Sequence, residues 1–229
     1  MMDFLRNIIM QTLIFFYGIT RDYGLTIIML TIALRIVTLP LSLQQIRSTR
    51  AMQRIAPEKA KLEEKYKGDK EKLNAATLEL YKKHKVNPFA GCLPLLIQFP
   101  VLIAMFGVLR NPEAIRVAID GFNPTFLGWI NLELQPKLVL DPLNISLASI
   151  PILAAVTTYF QTKQTAMDQP GSNSMSSMAI YMPLMILVFG FTIPVGLSLY
   201  WLVGNIISIG QHFVVAHLFP AKEKEAQSS

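Results

Sequence analysis

The chain has little of the chemistry on which enzymes and disulfide-bonded proteins depend. It contains one cysteine, Cys92, which excludes an intrachain disulfide and a paired cysteine metal site. Its histidines, His84, His212 and His217, are scattered, and the sequence has no nucleophile triad, Walker loop or histidine–carboxylate metal motif. We therefore expect a protein that is not an enzyme and that uses no cofactor or metal.

Charge is also scarce. Charged residues make up 16% and hydrophobic residues 52% of the 229 positions, and the mean hydropathy is +0.41. An ordinary soluble domain is more charged and less apolar than this. The composition favours an integral membrane protein.

Five apolar stretches are candidate membrane spans. A helix needs roughly 17 to 25 apolar residues to cross a bilayer, and the stretches 25–43, 89–109, 143–160 and 195–218 reach that length. A shorter stretch, 179–193, is followed by Pro194, Val195 and Gly196, which predict a tight turn between two spans. The predicted fold class is thus an all-α membrane protein with about five transmembrane helices.

The lysines and arginines predict the orientation of these spans. More than half of the cations lie between the first two spans, and short basic loops stay in the cytoplasm. With an odd number of spans, the N-terminus is then outside and the C-terminus inside. The expected segments are an extracytoplasmic helix at 1–22, a first span at 23–45, a cytoplasmic hairpin at 46–87, a second span at 88–110, an extracytoplasmic loop at 111–142, a third span at 143–162, a cytoplasmic loop at 163–177, further spans at 178–193 and 195–219, and a cytoplasmic tail at 220–229.

The first twenty residues have a helical pattern interrupted by polar side chains. Apolar residues recur at helical spacing, and no small-residue cleavage site follows them. We expect an amphipathic helix on the outer membrane surface. A signal peptide or start-transfer anchor is the alternative, and no cysteine near this end offers a site for a lipid anchor.

The basic loop predicts a structure of its own. Strong helix formers occupy 44–66 and 70–84, and Gly68 and Asp69 interrupt them as a turn would. The two halves predict a helical hairpin in the cytoplasm. It is either a docking surface or a solvated hairpin without a partner.

Arg35 is the most informative residue in the apolar stretches. None of these stretches contains Asp or Glu, and a guanidinium unpaired at the bilayer centre costs about 2.5 to 3.5 kcal/mol on insertion scales. Thr31, Arg35, Thr38 and Ser42 share one helix face, and uncharged polar side chains recur in the other stretches. Such residues commonly hold membrane helices together, but this role does not explain Arg35, for which water reaching the guanidinium through a polar groove is the least costly solution. The uncharged polar residues of the other apolar stretches are Gln98, Ser146, Ser149, Thr157, Gln161, Ser198, Trp201, Asn205, Ser208 and His212.

Several short motifs follow one another in a characteristic order. They are Arg35 with Pro40 and Leu41, the run 81–88, the run 91–94, Gln98, Pro100, Met182 with Pro183, the run 194–201, and Asn205. With these motifs on the expected spans, nearly the whole chain resembles the YidC/Oxa/Alb family of membrane protein insertases. It looks like a Gram-positive-type bacterial member without a large extracytoplasmic domain. It departs from some members in having no lipobox cysteine and no long basic tail, because Lys222 and Lys224 are offset by Glu223 and Glu225.

The resemblance implies a membrane insertase and chaperone in the bacterial plasma membrane. Its groove would be open to the cytoplasm and to lipid, and would attract the short, often acidic tails of nascent membrane proteins. The implied partners are these proteins and the bilayer, with the Sec translocon, the ribosome or the signal recognition particle as further candidates, and no direct nucleic-acid contact. The alternative function is a solute or ion transporter, although no internal repeat is visible. The expected groove residues are Arg35, Thr31, Thr38, Gln98, Gln161, Ser198, Trp201 and Asn205.

Overall fold

The computed structural model describes residues 2–86, 93–137, 141–167 and 173–218. The expectations for 87–92, the centre of the loop 163–177 and the tail 220–229 fall wholly or mainly outside these residues. The described elements are the helices α1 (Met2–Thr20), α2 (Tyr23–Lys65), α3 (Lys70–Lys83), α4 (Leu93–Leu109), α5 (Pro112–Ala118), α6 (Pro142–Met167), α7 (Asn173–Gly190) and α8 (Val195–Leu218), with the strands β1 (Thr125–Phe126) and β2 (Ile130–Asn131) between α5 and α6.

The fold is mostly helical, as predicted. Among the described residues, three helical segments are long and apolar enough to cross a membrane, namely Tyr23–Met52, Pro142–Gln164 and Val195–Val215. Two further apolar helical segments, Gln98–Leu109 and Ala179–Gly190, are shorter. Helix α6 packs against α7 and α8, while α8 also packs against α2.

Helix α2 joins two segments that the sequence suggested were separate. It runs for 43 residues, which corresponds to about 65 Å of helix. The residues on both sides of the expected boundary at 45 and 46 are helical, and Pro40 and Pro57 lie within the helix. A helix of this length exceeds the thickness of a bilayer core by about 35 Å, so an apolar span and a polar arm form one continuous element.

Helix α3 packs back against the polar half of α2. Residues 66–69 turn the chain, and the Asp69 side chain accepts a hydrogen bond from the backbone N–H of Lys72 at 3.1 Å. A hydrogen bond from the Lys72 side chain, and then this backbone bond, lower the pKa of Asp69. Glu58 on α2 pairs with His84 just after α3 at 3.1 Å, and Ile55 and Leu80 are buried.

Helix α1 contributes to the core of the bundle. Ile9, Leu13 and Tyr17 are buried at successive turns, and the helix contacts α2 and α4. The same helix exposes Phe4 and Phe15 on other faces. One set of apolar side chains on α1 therefore packs inside the protein, and another set lies on its outer surface.

The described residues that follow α4, 110–137, are here called the α4–α6 loop, and they contact the start of α8. The backbone N–H groups of Val195 and Gly196 donate to the carbonyl oxygens of Leu134 and Leu132 at 3.0 and 2.9 Å. The first N–H groups of a helix have no partner within the helix. The loop therefore satisfies two of them and fixes its own position on the bundle.

An ion pair lies beside this attachment. The guanidinium of Arg116 on α5 donates to the Glu133 carboxylate at 2.5 Å, and the other carboxylate oxygen of Glu133 is buried without a hydrogen-bond partner among the described residues. Burial raises the pKa of Glu133, while the Arg116 charge opposes that rise. Arg116 is thus the counter-ion of a carboxylate that the fold partly removes from water.

Replacing Arg116 should produce a stability defect that acid relieves. We expect Arg116→Gln to lower the melting temperature in detergent at neutral pH by about 2–4 °C, for a loss of about 1 kcal/mol. A carboxyl whose pKa is raised in the folded state destabilises the fold when charged, and the penalty disappears as the pH falls through that pKa. The difference in melting temperature between Arg116→Gln and wild type should therefore become smaller as the pH falls towards about 4.3, the ordinary pKa of glutamate.

The control for this prediction is the double variant Arg116→Gln/Glu133→Gln. It has no carboxylate at position 133, so acid should not restore its stability relative to wild type in the same way. An acid-independent gap for Arg116→Gln alone would contradict the role of Arg116 as counter-ion.

Candidate functional site

Arg35 lies in the apolar half of α2 and is half-buried. The residue one turn before Arg35 is buried, whereas the two residues after it are exposed. Thr31, one turn earlier, is 1% exposed, whereas Ile36 and Val37 are 65% and 76% exposed. The guanidinium therefore lies on the edge between the bundle interior and the apolar outer surface of α2.

A polar pocket surrounds Arg35. It offers about 60 Å³ to the centres of water-sized molecules, which is room for a few waters at roughly 10–15 Å³ each. Helices α2, α4 and α8 all contribute to it. The lining residues are Thr31, Leu34, Arg35, Thr38, Leu41, Ser42, Gln45, Gln98, Val101 and Tyr200.

The hydroxyl groups of this pocket present acceptors to it. The Thr31 hydroxyl donates to the carbonyl of Ile27 at 2.6 Å, and the Thr38 hydroxyl donates to that of Leu34 at 2.9 Å. Because each proton is used within α2, the oxygen lone pairs remain for other donors. A guanidinium and the waters around it are such donors.

Gly204 on α8 makes room for the guanidinium. A Cβ atom at this position would lie 2.8 Å from Nη2 of Arg35. Any larger residue would require the arginine side chain to move. The absence of a side chain at Gly204 thus lets α8 approach the charged end of Arg35.

Tyr200, one turn before Gly204, is a pocket residue that the sequence interpretation missed. Gln98 on α4 donates a hydrogen bond from Nε2 to the Tyr200 hydroxyl oxygen at 2.7 Å. Tyr200 is 5% exposed. The spacing of Tyr200 and Gly204 on one helix face, together with a glycine inside an apolar helix, was the signal that could have identified this side of α8.

The charge on Arg35 has no ionic partner within the described part of the chain. No described Asp or Glu side chain lies within 4.0 Å of the guanidinium. The neighbouring groups are neutral amide, hydroxyl and phenol groups. The pocket is therefore a positively charged site that can attract an anion.

The structure brings together only part of the predicted groove. Arg35, Thr31, Thr38 and Gln98 line the pocket, whereas Ser198, Trp201, Asn205 and Gln161 are not among its lining residues. Gln161 is half-buried on α6. Ser198 is buried near the contact between Gly190 and Pro151.

Trp201 and Asn205 face α6. The Trp201 indole N–H donates to the Thr158 hydroxyl oxygen at 3.1 Å. The Asn205 side-chain amide nitrogen lies 2.7 Å from the Thr158 hydroxyl, 3.1 Å from that of Thr157 and 3.2 Å from the Ala154 carbonyl oxygen. These contacts join α6 to α8 in the described structure. Contact of either residue with a substrate stays a prediction.

The described residues contain no cluster of three or more His, Cys, Asp or Glu side chains that could hold a metal ion. The side chains that line the Arg35 pocket offer one positive charge together with neutral hydrogen-bond donors and acceptors.

Comparison with known proteins identifies the family. The model of the 60Kd inner membrane protein family matches residues 15–223. The chain belongs to this family. Its relatives in the family include the membrane protein insertase YidC of Fusobacterium nucleatum, which is 36% identical over 218 residues, covering 93% of this chain and 98% of the relative. The membrane protein insertase MisCA of Bacillus subtilis is 38% identical over 213 residues, covering 91% of this chain and 76% of the relative.

The fold agrees with that of a solved member of the YidC group. A crystal structure of an active YidC insertase, with its first transmembrane domain resolved, superposes with a TM-score of 0.63 and 27% identity. The match covers 88% of this chain and 44% of that one. The resemblance to YidC-type insertases is confirmed by sequence and by fold.

Proposed function

We propose that this protein is a membrane protein insertase whose Arg35 pocket receives the hydrophilic tail of a nascent membrane protein. The observation that carries the proposal is a half-buried arginine in a pocket large enough for water, without a carboxylate partner among the described residues. The YidC and MisCA relatives, which are membrane protein insertases, support the same function.

The pocket lowers the cost of bringing a polar tail into the membrane. An acidic tail is attracted to the Arg35 guanidinium, and two unit charges about 4 Å apart attract by about 4 kcal/mol at an effective dielectric constant of about 20. The neutral donors and acceptors around Arg35 can bind the polar groups of the tail. The tail is therefore spared full exposure to hydrocarbon.

The apolar part of the substrate leaves towards lipid. Ile36 and Val37 expose apolar surface beside Arg35, which supports a lateral path from the pocket to the bilayer. Each apolar residue that enters the lipid contributes about −0.3 to −0.6 kcal/mol. An acidic tail that moves outward gains about 2.3 kcal/mol per charge per 100 mV of membrane potential, so no nucleotide hydrolysis is required.

We propose a multi-pass arrangement in the bacterial plasma membrane with five spans. The three long apolar helices and the two shorter apolar segments support this number. The basic character of the α2–α3 hairpin supports a cytoplasmic location for it, with the N-terminus outside and the C-terminus inside. The α4–α6 loop is then extracytoplasmic.

Cysteine labelling tests this orientation. In a Cys92→Ser background, which has no other cysteine, Lys67→Cys at the end of the hairpin should react with a membrane-impermeant maleimide only from the cytoplasmic side. Val117→Cys, at a side chain that is 87% exposed, is the matched position and should react only from outside. Reversed labelling of the pair would overturn the proposed topology.

The α2–α3 hairpin is the proposed contact surface for partners. Nascent membrane proteins and the bilayer follow from an insertase function. The Sec translocon, the ribosome and the signal recognition particle are proposed partners, and the polar arm of α2 would bring such a partner in line with the Arg35 pocket on the same helix.

The decisive experiment replaces the cell's own insertase with this chain. After depletion of the resident protein, protease mapping should show that the tail of a small single-span substrate reaches the outside. In parallel, purified protein in vesicles should insert the same substrate without passing small solutes. Solute flux without insertion would establish the transporter instead.

A further inference from the structure

The turn between β1 and β2 exposes two large apolar side chains. Leu127 is 61% exposed and Trp129 is 57% exposed, and together with Gly128 they are called the hairpin tip. Strands β1 and β2 pair in an antiparallel register, with Phe126 opposite Ile130. The tip therefore projects from a short, hydrogen-bonded hairpin.

The backbone conformation of the tip is unfavourable for leucine at position 127. Leu127 has φ 54° and Gly128 has φ 81°, and the Trp129 N–H donates to the Phe126 carbonyl at 3.3 Å. A turn with two positive φ values favours Asn, Asp or Gly at its first central position. Leucine is a poor choice here for the backbone alone, so its side chain calls for an explanation.

The tip is attached to the first turn of α2. Asp22 accepts a hydrogen bond from the backbone N–H of Leu25 through one carboxylate oxygen at 2.8 Å, and from that of Leu127 through the other, also at 2.8 Å. The Phe126 ring lies directly against Gly24. The tip is thus held where the apolar half of α2 begins.

The tip lies at one end of an exposed apolar surface of α2. Leu25, Ile32 and Ile36 on α2 are 41%, 42% and 65% exposed. The chain from 121 to 132 contains no charged residue, although Asp120 and Glu133 lie immediately on either side. The nearest charge in the preceding contacts is the Asp22 carboxylate, which already accepts hydrogen bonds from two backbone N–H groups. The uncharged, apolar tip therefore suits lipid better than a partner recognised by charge.

We infer that the hairpin tip inserts into the interfacial region of the bilayer leaflet at the N-terminal end of α2, with Trp129 and Leu127 as membrane anchors. Tryptophan favours this depth because its ring is apolar and its N–H can still reach polar groups. The inference rests on the proposed function only in taking α2 as a membrane span. Anchoring would also hold the α4–α6 loop, and with it the start of α8, at the membrane surface.

Tryptophan fluorescence in vesicles tests the inference. The chain contains two tryptophans, so Trp201→Phe reports on Trp129 alone and Trp129→Phe reports on Trp201 alone. The vesicles contain phospholipids brominated at shallow or deep positions of the acyl chain, and acrylamide serves as the aqueous quencher. We expect Trp129 to be quenched most by the shallow bromines, with acrylamide quenching several-fold weaker than for free indole in water.

Matched variants identify the source of any failure. Quenching of Trp201 by deep bromines establishes that the bundle is inserted, independently of the tip. Lys67→Trp in the Trp129→Phe/Trp201→Phe background places an indole at the far end of the α2–α3 hairpin and should respond to acrylamide but not to bromine. If Trp201→Phe perturbs folding, subtracting the fluorescence of Trp129→Phe from that of wild type gives the Trp129 signal in protein that keeps Trp201.

Leu127→Asn separates backbone strain from anchoring. Asparagine suits the positive φ but cannot anchor in lipid, so this variant in the Trp201→Phe background should keep its fold and increase acrylamide quenching of Trp129. Full acrylamide quenching of Trp129 without bromine quenching, in protein whose Trp201 is deep in lipid, would overturn the inference. Protection of Trp129 from both quenchers would also overturn it and would instead indicate cover by protein.

Discussion

Arg35→Ala is expected to reduce translocation of an acidic tail by at least about tenfold, which corresponds to the loss of about 1.4 kcal/mol of attraction. The stability of the protein should fall little, because none of the described carboxylates pairs with Arg35. Arg35→Glu should be worse for acidic tails, since it replaces attraction by repulsion. Substrates with neutral tails should be least affected.

The pocket geometry also predicts the behaviour of Arg35→Lys. Two-point recognition of a carboxylate requires the planar arginine fork, but the described surroundings of Arg35 offer only neutral side chains and space for water. A lysine ammonium supplies the same charge. Arg35→Lys should therefore retain much of the activity, and a defect as severe as that of Arg35→Ala would mean that geometry matters more than charge.

Moving the charge along α2 provides a more stringent control. Arg35→Ala/Thr38→Arg keeps a cation on the pocket face and should restore part of the translocation. Arg35→Ala/Val37→Arg places the cation on a side chain that is 76% exposed, away from the pocket, and should not. Protease mapping of the tail, with melting temperatures in detergent for each variant, gives the result. Full activity of Arg35→Ala on an acidic tail at normal expression would refute the mechanism.

The sequence was sufficient to locate Arg35 and its own helix face. A charge without a partner in an apolar stretch is visible without any structure, and the spacing of Thr31 and Thr38 follows from helix geometry. Family membership and the mostly helical fold could be predicted for the same reason, because they depend on motifs and on local patterns along the chain.

The rotation of α8 could not be predicted. Its polar stripe suggested that Trp201 and Asn205 face the pocket, but a polar residue in a membrane helix can satisfy its hydrogen bonds on any neighbouring helix. Here α6 supplies acceptors at Thr158 and Ala154, and the face towards Arg35 carries Tyr200 and Gly204. Which helix takes the polar face depends on packing, which a single sequence does not reveal.

The continuity of α2 across residue 45 was not predicted for a different reason. The composition changes from apolar to charged near residue 45, as expected where a helix passes from lipid into water. It does not mark a break in the backbone, because the charged half consists of strong helix formers. The amino-acid composition of a segment indicates its environment, whereas the helix propensity of its residues indicates whether the helix continues.

Asn205→Ala is expected to destabilise the protein more than it impairs recognition of a tail. The Asn205 amide is 4% exposed and contacts Thr157, Thr158 and Ala154 on α6. Interhelical hydrogen bonds in membranes contribute about 0.6 kcal/mol on average and about 1.7 at most, so a loss of about 1–2 kcal/mol is expected. For a chain of this size that corresponds to a fall in melting temperature of about 2–8 °C.

A double-mutant cycle with Thr158→Val assigns this loss to the α6–α8 contact. Thr158→Val removes the acceptor shared by Asn205 and Trp201, so the double variant should be less destabilised than the sum of the two single variants. Ile206→Ala is the matched control, because that neighbouring side chain is 55% exposed on the apolar surface and should change the melting temperature little. If Asn205→Ala instead blocks tail translocation at unchanged melting temperature, Asn205 serves the substrate and not the packing of α6 against α8.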